Sequence, residues 1–284
     1  MVPPDHAPPS PDEPDLDRPS VARVYDWYLG GRFNYAVDRV FGQRAVQRFP
    51  LIKPLAHANR TFLGRVVAEA LDAGIVQFLD LGSGIPTVGN VHEAVAAHTD
   101  GSYGRVVYVD HEPVAAAHAE TILAEQGCLD WAGIVRSDFR DPIAVLEHPT
   151  TQRLLDFTKP ICVLFVSVLH FVGAETNIER MLATYVDPLP TGSWLALSHI
   201  SNDDVDDEGA AQIARLAGAY RQESQNPAYL RKRDEIQPWF GPLSLLEPGL
   251  VHLSEWRPTP SASPYEASAG RFMWCGVGEK RDDQ

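Results

Sequence analysis

Three acids recur along the chain at close to even intervals, each behind a short apolar run. Asp80 follows VQFL, Asp110 follows RVVYV and Asp138 follows GIVRS. Behind the first acid stands Gly82-Ser83-Gly84. Glycine lets a backbone turn tightly and approach a ligand closely. A lone glycine pair has little meaning. A glycine turn with two further acids in matching positions describes a ligand cradle. Behind a fourth apolar run, ICVLFVSV, come Ser167 and His170. An imidazole there is a candidate general base.

These residues need a scaffold that brings separate run ends together. The apolar runs 76–82, 105–110, 133–138, 161–168 and 193–200 read as buried strands. The spacings between them predict helices over 87–98, 113–125 and 175–185, and a helical stretch after 138 broken at Pro149. Further helices are predicted over 208–222 and 227–240, and the runs 250–256 and 271–278 read as a late antiparallel pair. Near-continuous apolar strands alternating with helices give a parallel sheet covered on both faces. The fold class is therefore α/β: a Rossmann-like, doubly wound, seven-stranded, mostly parallel sheet. In such a sheet ligands bind at the carboxyl ends of the strands, where the acids stand. Before the first strand, apolar residues at helical spacing predict helices over 20–29, 36–48 and 55–71, an N-terminal helical cap. The expected organisation is a disordered acidic, proline-rich tail over 1–19, the cap over 20–75 and a cofactor-binding domain over 76–284.

The loop Asp80-Leu81-Gly82-Ser83-Gly84-Ile85-Pro86-Thr87 lacks the third glycine of a dinucleotide fingerprint. An acid beside the loop also disfavours a pyrophosphate, because the following helix N-terminus is suited to anions. A ligand with an ammonium and a sulfonium but no phosphate suits it, which points to S-adenosylmethionine. Asp110 would accept from both ribose hydroxyls. Asp138 would accept from the adenine amino group, with Phe139 against the ring.

The segments FLDLGSGIPT, VVYVDHEP, RSDFRDP and FVSVLHFV resemble the successive motifs of class I S-adenosylmethionine-dependent methyltransferases. More narrowly, ARVYDWYLGGRFNYAVDR, HANRTFLGRVV and LLEPGLVHLSEWRP resemble an actinobacterial methyltransferase family catalogued as a domain of unknown function. The resemblance spans residues 20–278. Its specific part is a block containing Gly30, Gly31, Asn34, Asp38 and Arg39. Phe33 departs from it, where a polar or acidic residue is expected. The resemblance implies a cofactor site of Tyr25, Gly31, Asn34, Asp80, Gly82, Ser83, Gly84, Asp110, His111, Asp138, Phe139 and Ser167. It implies no particular methyl acceptor.

A sulfonium methyl is already activated, so the protein must align the nucleophile and exclude water. A base is needed only for an acceptor that arrives protonated. His170 is the candidate catalytic residue, with His199 after the next strand as a second imidazole at the rim; the plainer reading makes His170 a helix cap or a packing residue. No metal site is expected: the run Asp203, Asp204, Asp206, Asp207, Glu208 reads as the acidic start of a helix. Tyr25, Trp27, Tyr28, Phe33 and Tyr35 are dense enough that some should face the cofactor. Arg32, Arg39 and Arg60 suit a carboxylate, either of an acidic acceptor or of the cofactor itself, and pair equally well with Asp26 or Asp38. Residues 20–40 are expected to act as a lid.

The 284 residues carry 24 basic and 38 acidic side chains, a net charge of -14, which disfavours nucleic acid as a partner. No apolar run is long enough to span a bilayer, and the N-terminus lacks a signal-peptide pattern. Cys128, Cys162 and Cys275 form neither a disulfide framework nor a zinc spacing, and read as core residues of a cytoplasmic protein. The expected partner is a small-molecule acceptor; the chain carries no signal for oligomeric state. Two other readings remain at this level: a cofactor-binding protein without turnover, and a nicotinamide oxidoreductase.

Overall fold

The computed structural model describes residues 15–86, 89–99, 104–258 and 263–282. Its five parallel strands are β1 (Gln77–Leu81), β2 (Arg105–Asp110), β3 (Ala132–Arg136), β4 (Cys162–Val166) and β5 (Trp194–Ile200). Their alternate residues enter two separate cores. Phe78, Val106, Cys162 and Leu164 face one side, while Leu79, Leu81, Val107 and Val163 face the other. Burial on both faces explains why these strands read as continuous apolar runs.

The short strands β6 (Ser244–Leu245) and β7 (Val251–His252) and the long β8 (Met273–Glu279) complete the sheet. The order is β3-β2-β1-β4-β5-β8-β6, with β7 also pairing β8, and β8 runs antiparallel to β5. The described residues thus hold eight strands, one more than expected. The run 250–256 shrinks to two paired residues, Val251 opposite Cys275 and His252 opposite Trp274. Strands β6 and β7 run in the same direction and pair successive parts of β8.

The helices are α1 (Val21–Tyr28), α2 (Ala36–Arg48), α3 (Ile52–Asp72), α4 (Val91–Thr99), α5 (Pro113–Glu125), α6 (Pro142–Leu146), α7 (Pro149–Leu154), α8 (Ile178–Val186), α9 (Asp207–Glu223), α10 (Arg233–Ile236) and α11 (Pro264–Gly270). The expected helix over 227–240 is only α10 and a 3-10 turn at Gln237–Phe240, with Pro238 at its start. Expected helix starts at Thr87 and Glu175 fall later: Thr87 lies outside the described residues, and Asn177 caps α8 by accepting from the Arg180 amide. Helices α1 to α3 precede the sheet and pack into the first core through Val24, Phe41, Leu55, Phe62 and Val66.

Residues 1–14 of the expected tail lie outside the described residues. Within the rest of that span, Asp15, Arg18 and Pro19 are held by hydrogen bonds. Arg23 donates to the carbonyls of Asp15 and Arg18, and Arg18 donates to the Ser224 carbonyl at 2.5 Å.

Candidate functional site

The carboxyl ends of β1 to β5 open into one cavity, roofed by α1, α3 and α9. Asp80, Gly82, Ser83, Gly84, Asp110, His111, Asp138, Phe139, Ser167 and His170 all line it, as does Tyr25 of α1. These residues are separated by up to 145 positions in sequence and meet because the strands are parallel neighbours, so that every strand end points the same way.

Asp110 organises the glycine turn. Its Oδ2 accepts from the Gly84 amide at 2.8 Å, and its Oδ1 accepts from the Glu112 amide at 2.9 Å. The amides of Gly82 and Ser83 donate to the Val109 carbonyl. Gly82 has φ +69°, and a Cβ there would meet the Val168 side chain at 2.2 Å. Both conformation and space therefore demand glycine. Each oxygen of Asp110 keeps a lone pair for a further donor.

Asp80 is buried beneath Arg60 of α3. Burial pushes its carboxyl up to about 7; the Arg60 charge pulls it down and the Asp110 charge pushes it further up. The Nε of Arg60 is buried without a hydrogen-bond partner. Arg60 also stands over the Tyr25 ring, 5.6 Å from its centre. Asp138 is differently occupied. Burial raises its pKa, but hydrogen bonds and charge from Arg140 outweigh this and hold it low. The Arg140 Nε donates to both carboxylate oxygens, at 3.0 and 2.9 Å. Phe139 is buried edge-on to Phe165 and lines the wall. His111 is half-exposed, 3.8 Å from the Asp110 carboxylate.

Ser167, at φ +60°, donates its amide to Ser198 Oγ at 2.9 Å. Ser198 Oγ donates to Asn59 Oδ1 at 2.6 Å, and Asn59 Nδ2 donates to the Tyr25 hydroxyl at 2.9 Å. A polar chain thus runs from the end of β4 through β5 and α3 to α1. Asn59 was visible in the sequence as a polar residue on the apolar stripe of a helix.

Gly31 and Asn34 do not line the cavity. They form a turn around the buried Asp26, whose Oδ2 accepts from the Phe33 amide at 2.9 Å and from Asn34 Nδ2 at 2.8 Å. A Cβ at Gly31 would fall 1.9 Å from Asp26 Oδ1. Arg39 closes the turn on the Asn34 carbonyl at 2.7 Å. The 30–39 block is therefore a fixed joint between α1 and α2, with no free polar loop for a lid. Phe33 packs on the His118 ring, 4.4 Å away. Of the three cap arginines only Arg60 reaches the cavity.

Sequence reasoning missed the joint's anchor. Arg23 is fully buried, donating from Nε to Asp38 at 2.8 Å and from Nη1 to Glu112 at 2.6 Å. Glu112 also caps α5 by accepting from the Ala115 amide. This triad bolts α1 and α2 to the loop that carries Asp110. No local signal in the sequence marks Arg23 as buried.

His170 is buried and lines the cavity, and its Nδ1 has no hydrogen-bond partner. Burial lowers its pKa to about 3, and the Arg231 charge adds to the effect. It is neutral at physiological pH. His199 does not reach the rim. It lies behind His170, 5.6 Å between rings, donating Nδ1–H to the Ile200 carbonyl while Nε2 accepts from Arg231. The acidic run is engaged elsewhere. Asp203 accepts from Trp274 Nε1, Asp204 pairs with His252, and Asp206 caps α9. No cluster of metal-ligating side chains occurs among the described residues, and no helix among them is long and apolar enough to cross a membrane.

The family model for S-adenosyl methyltransferase matches residues 8–281. A crystal structure from Thermobifida fusca YX, provisionally named a methyltransferase, is 35% identical with TM-score 0.84, covering 94% of this chain and 97% of its own. A DUF574 family protein from Streptomyces avermitilis MA-4680 is 32% identical with TM-score 0.84, covering 94% and 99%. The magnesium protoporphyrin IX methyltransferase of Synechocystis PCC 6803, solved with bound S-adenosylhomocysteine, shares the fold at 13% identity and TM-score 0.52, covering 90% and 92%. Among curated proteins none matches. The chain belongs to the S-adenosyl methyltransferase family, an enzyme family whose cofactor is S-adenosylmethionine.

Proposed function

We propose that this protein transfers a methyl group from S-adenosylmethionine to a small-molecule acceptor, with residues 20–75 capping the site and residues 76–284 forming the cofactor-binding unit. One observation carries the reading: Asp80, Asp110 and Asp138 line one cavity, with the glycine turn bonded to Asp110.

The residues fit the cofactor. Asp80 offers a buried carboxylate for its ammonium, and Arg60 offers an unpartnered Nε for its carboxylate. Asp110 keeps lone pairs for the ribose hydroxyls, and the polar chain through Asn59 holds Tyr25 and Ser167 in the same wall. Asp138 and Phe139 serve the base end, with Asp138 sharing its carboxylate with Arg140. When bound, the cofactor supplies an activated methyl on a sulfonium. The chain's own work is to orient the acceptor and exclude water. His170, neutral and unpartnered at Nδ1, is positioned to exchange a hydrogen bond with the acceptor. Three buried free thiols support a cytoplasmic location.

Calorimetry with S-adenosylmethionine, S-adenosylhomocysteine and NAD tests cofactor choice; tighter binding of NAD would overturn it. Incubation of small-molecule extracts with methyl-deuterated cofactor, followed by mass spectrometry, tests turnover. Binding without any labelled product would favour a protein that holds the cofactor without turnover.

A further inference from the structure

The charges lining the cavity are distributed unevenly. Asp80, Asp110, Glu112, Asp138 and Arg140 stand at or just after β1 to β3, with Arg60 above them. Each has an opposite charge beside it or serves the cofactor end. The other half, over β4 and β5 and under α9, is lined by Tyr28, Leu55, Phe171, Leu216, Tyr220 and Met273, among others, with no Asp, Glu, Lys or Arg among the described residues. Its walls are closed: Leu55, Ala217 and Met273 are each at most 2% exposed. The hydroxyls of Tyr28 and Tyr220 bond each other at 3.0 Å, tying α1 to α9. Besides Arg60 Nε, two polar atoms of the lining remain buried without partners, Nδ1 of His170 and Oγ of Ser20.

We propose that this half is the acceptor site, and that it takes an uncharged, largely apolar molecule that presents a hydroxyl to His170. The proposal rests on the methyl-transfer reading and names its substrate class. A carboxylate, phosphate or ammonium placed here would meet a lining without a charged side chain, and the nearby Arg231 is already engaged by the Leu169 and Val172 carbonyls and by His199, so its burial is strongly unfavourable. An apolar body gains from leaving water. A hydroxyl suits a neutral imidazole in either tautomer, because it can donate or accept. Arg60 then belongs to the cofactor's carboxylate and not to an acidic acceptor.

Three probes of one shape separate these elements: 2-naphthol, 2-naphthoate and naphthalene. Each is titrated by fluorescence into the protein saturated with S-adenosylhomocysteine, whose own binding is first measured by calorimetry. Naphthol should bind at least about a hundredfold more tightly than naphthoate. It should exceed naphthalene by about tenfold, the contribution of one hydrogen bond to an otherwise unpartnered group. In His170→Leu the naphthol advantage over naphthalene should fall to about onefold while naphthalene affinity is kept. A melting curve checks that this variant folds; if it does not, the wild-type series alone decides. Naphthoate binding as tightly as naphthol, or no preference of naphthol over naphthalene, overturns the proposal. Failure of S-adenosylhomocysteine to bind would overturn the methyl-transfer reading instead, and the two failures are read from separate titrations.

Discussion

On the proposal that Asp80 takes the cofactor's ammonium, cofactor binding should be pH-dependent around neutrality, because burial raises that carboxyl to about 7. The cause is the burial of Asp80 under α3, only partly offset by Arg60 and reinforced by Asp110. A carboxyl that must ionise to bind weakens the apparent affinity by a factor of 1 + 10^(pKa − pH). With a pKa of about 7, S-adenosylhomocysteine should bind about elevenfold more weakly at pH ~6 than at saturation, and within about 10% of saturation at pH ~8. The acid arm corresponds to about 1.4 kcal/mol per pH unit. Calorimetry in two buffers of different ionisation enthalpy should show release of about half a proton near pH ~7. His111 also lines the cavity, so a variant must assign the proton. Asp80→Asn keeps the shape and removes the charge; it should bind weakly at every pH, with no slope and no proton release. Wild-type affinity that is flat from pH ~6 to ~8, or a slope that survives in Asp80→Asn, would refute the assignment. The same shift acts on stability. A carboxyl raised in the folded state binds more protons folded than unfolded, so its contribution is full below about pH 4 and is lost as pH rises through about 7. Ligand-free protein should therefore gain most from added cofactor on the alkaline side of neutrality.

Asp110→Ala removes the proposed acceptor for the ribose hydroxyls and frees the Gly84 amide, so S-adenosylhomocysteine affinity should fall at least about tenfold in a folded protein; unchanged affinity in calorimetry would count against it. Arg23→Met leaves Asp38 and Glu112 buried and unpaired, and should cost about 3–5 kcal/mol in a denaturant titration, far more than a surface pair would. Asn34→Ala should lower the melting temperature through the Asp26 turn while cofactor affinity in the folded fraction stays within about twofold, because Asn34 does not line the cavity. Below about pH 6.5 the protein should lose stability as His170 is driven toward its protonated form. The folded-state pKa of about 3 lies below the unfolded value, so the contribution is full above about pH 6.5 and disappears as pH falls through about 3. His170→Leu should reduce that part of a melting-temperature profile, the remaining slope coming from His199, whose pKa burial also lowers.

The sequence by itself determined the five parallel strands and the residues that stand at their ends. Apolar runs such as RVVYV must be buried on both faces, which makes the sheet parallel and helix-covered, and that in turn sends Asp80, Asp110 and Asp138 to one edge. Their common placement follows from strand order, and strand ends are local features. The joint at Gly31, Asn34 and Asp38 was legible as a pattern, but its meaning was not. A polar, glycine-rich turn reads the same whether it moves over a ligand or folds around a buried Asp26. Only the tertiary structure decided this, because what distinguishes the two is whether a partner is near in space. The same holds for Arg23, whose two carboxylates lie 15 and 89 residues away. It holds also for the acceptor half, assembled from α1, α3, the end of β4 and α9. Tyr28 and Tyr220, 192 residues apart, carry no mutual signal in the chain. Such contacts are set by how helices dock on a sheet, which depends on the packing of whole faces and not on any short segment.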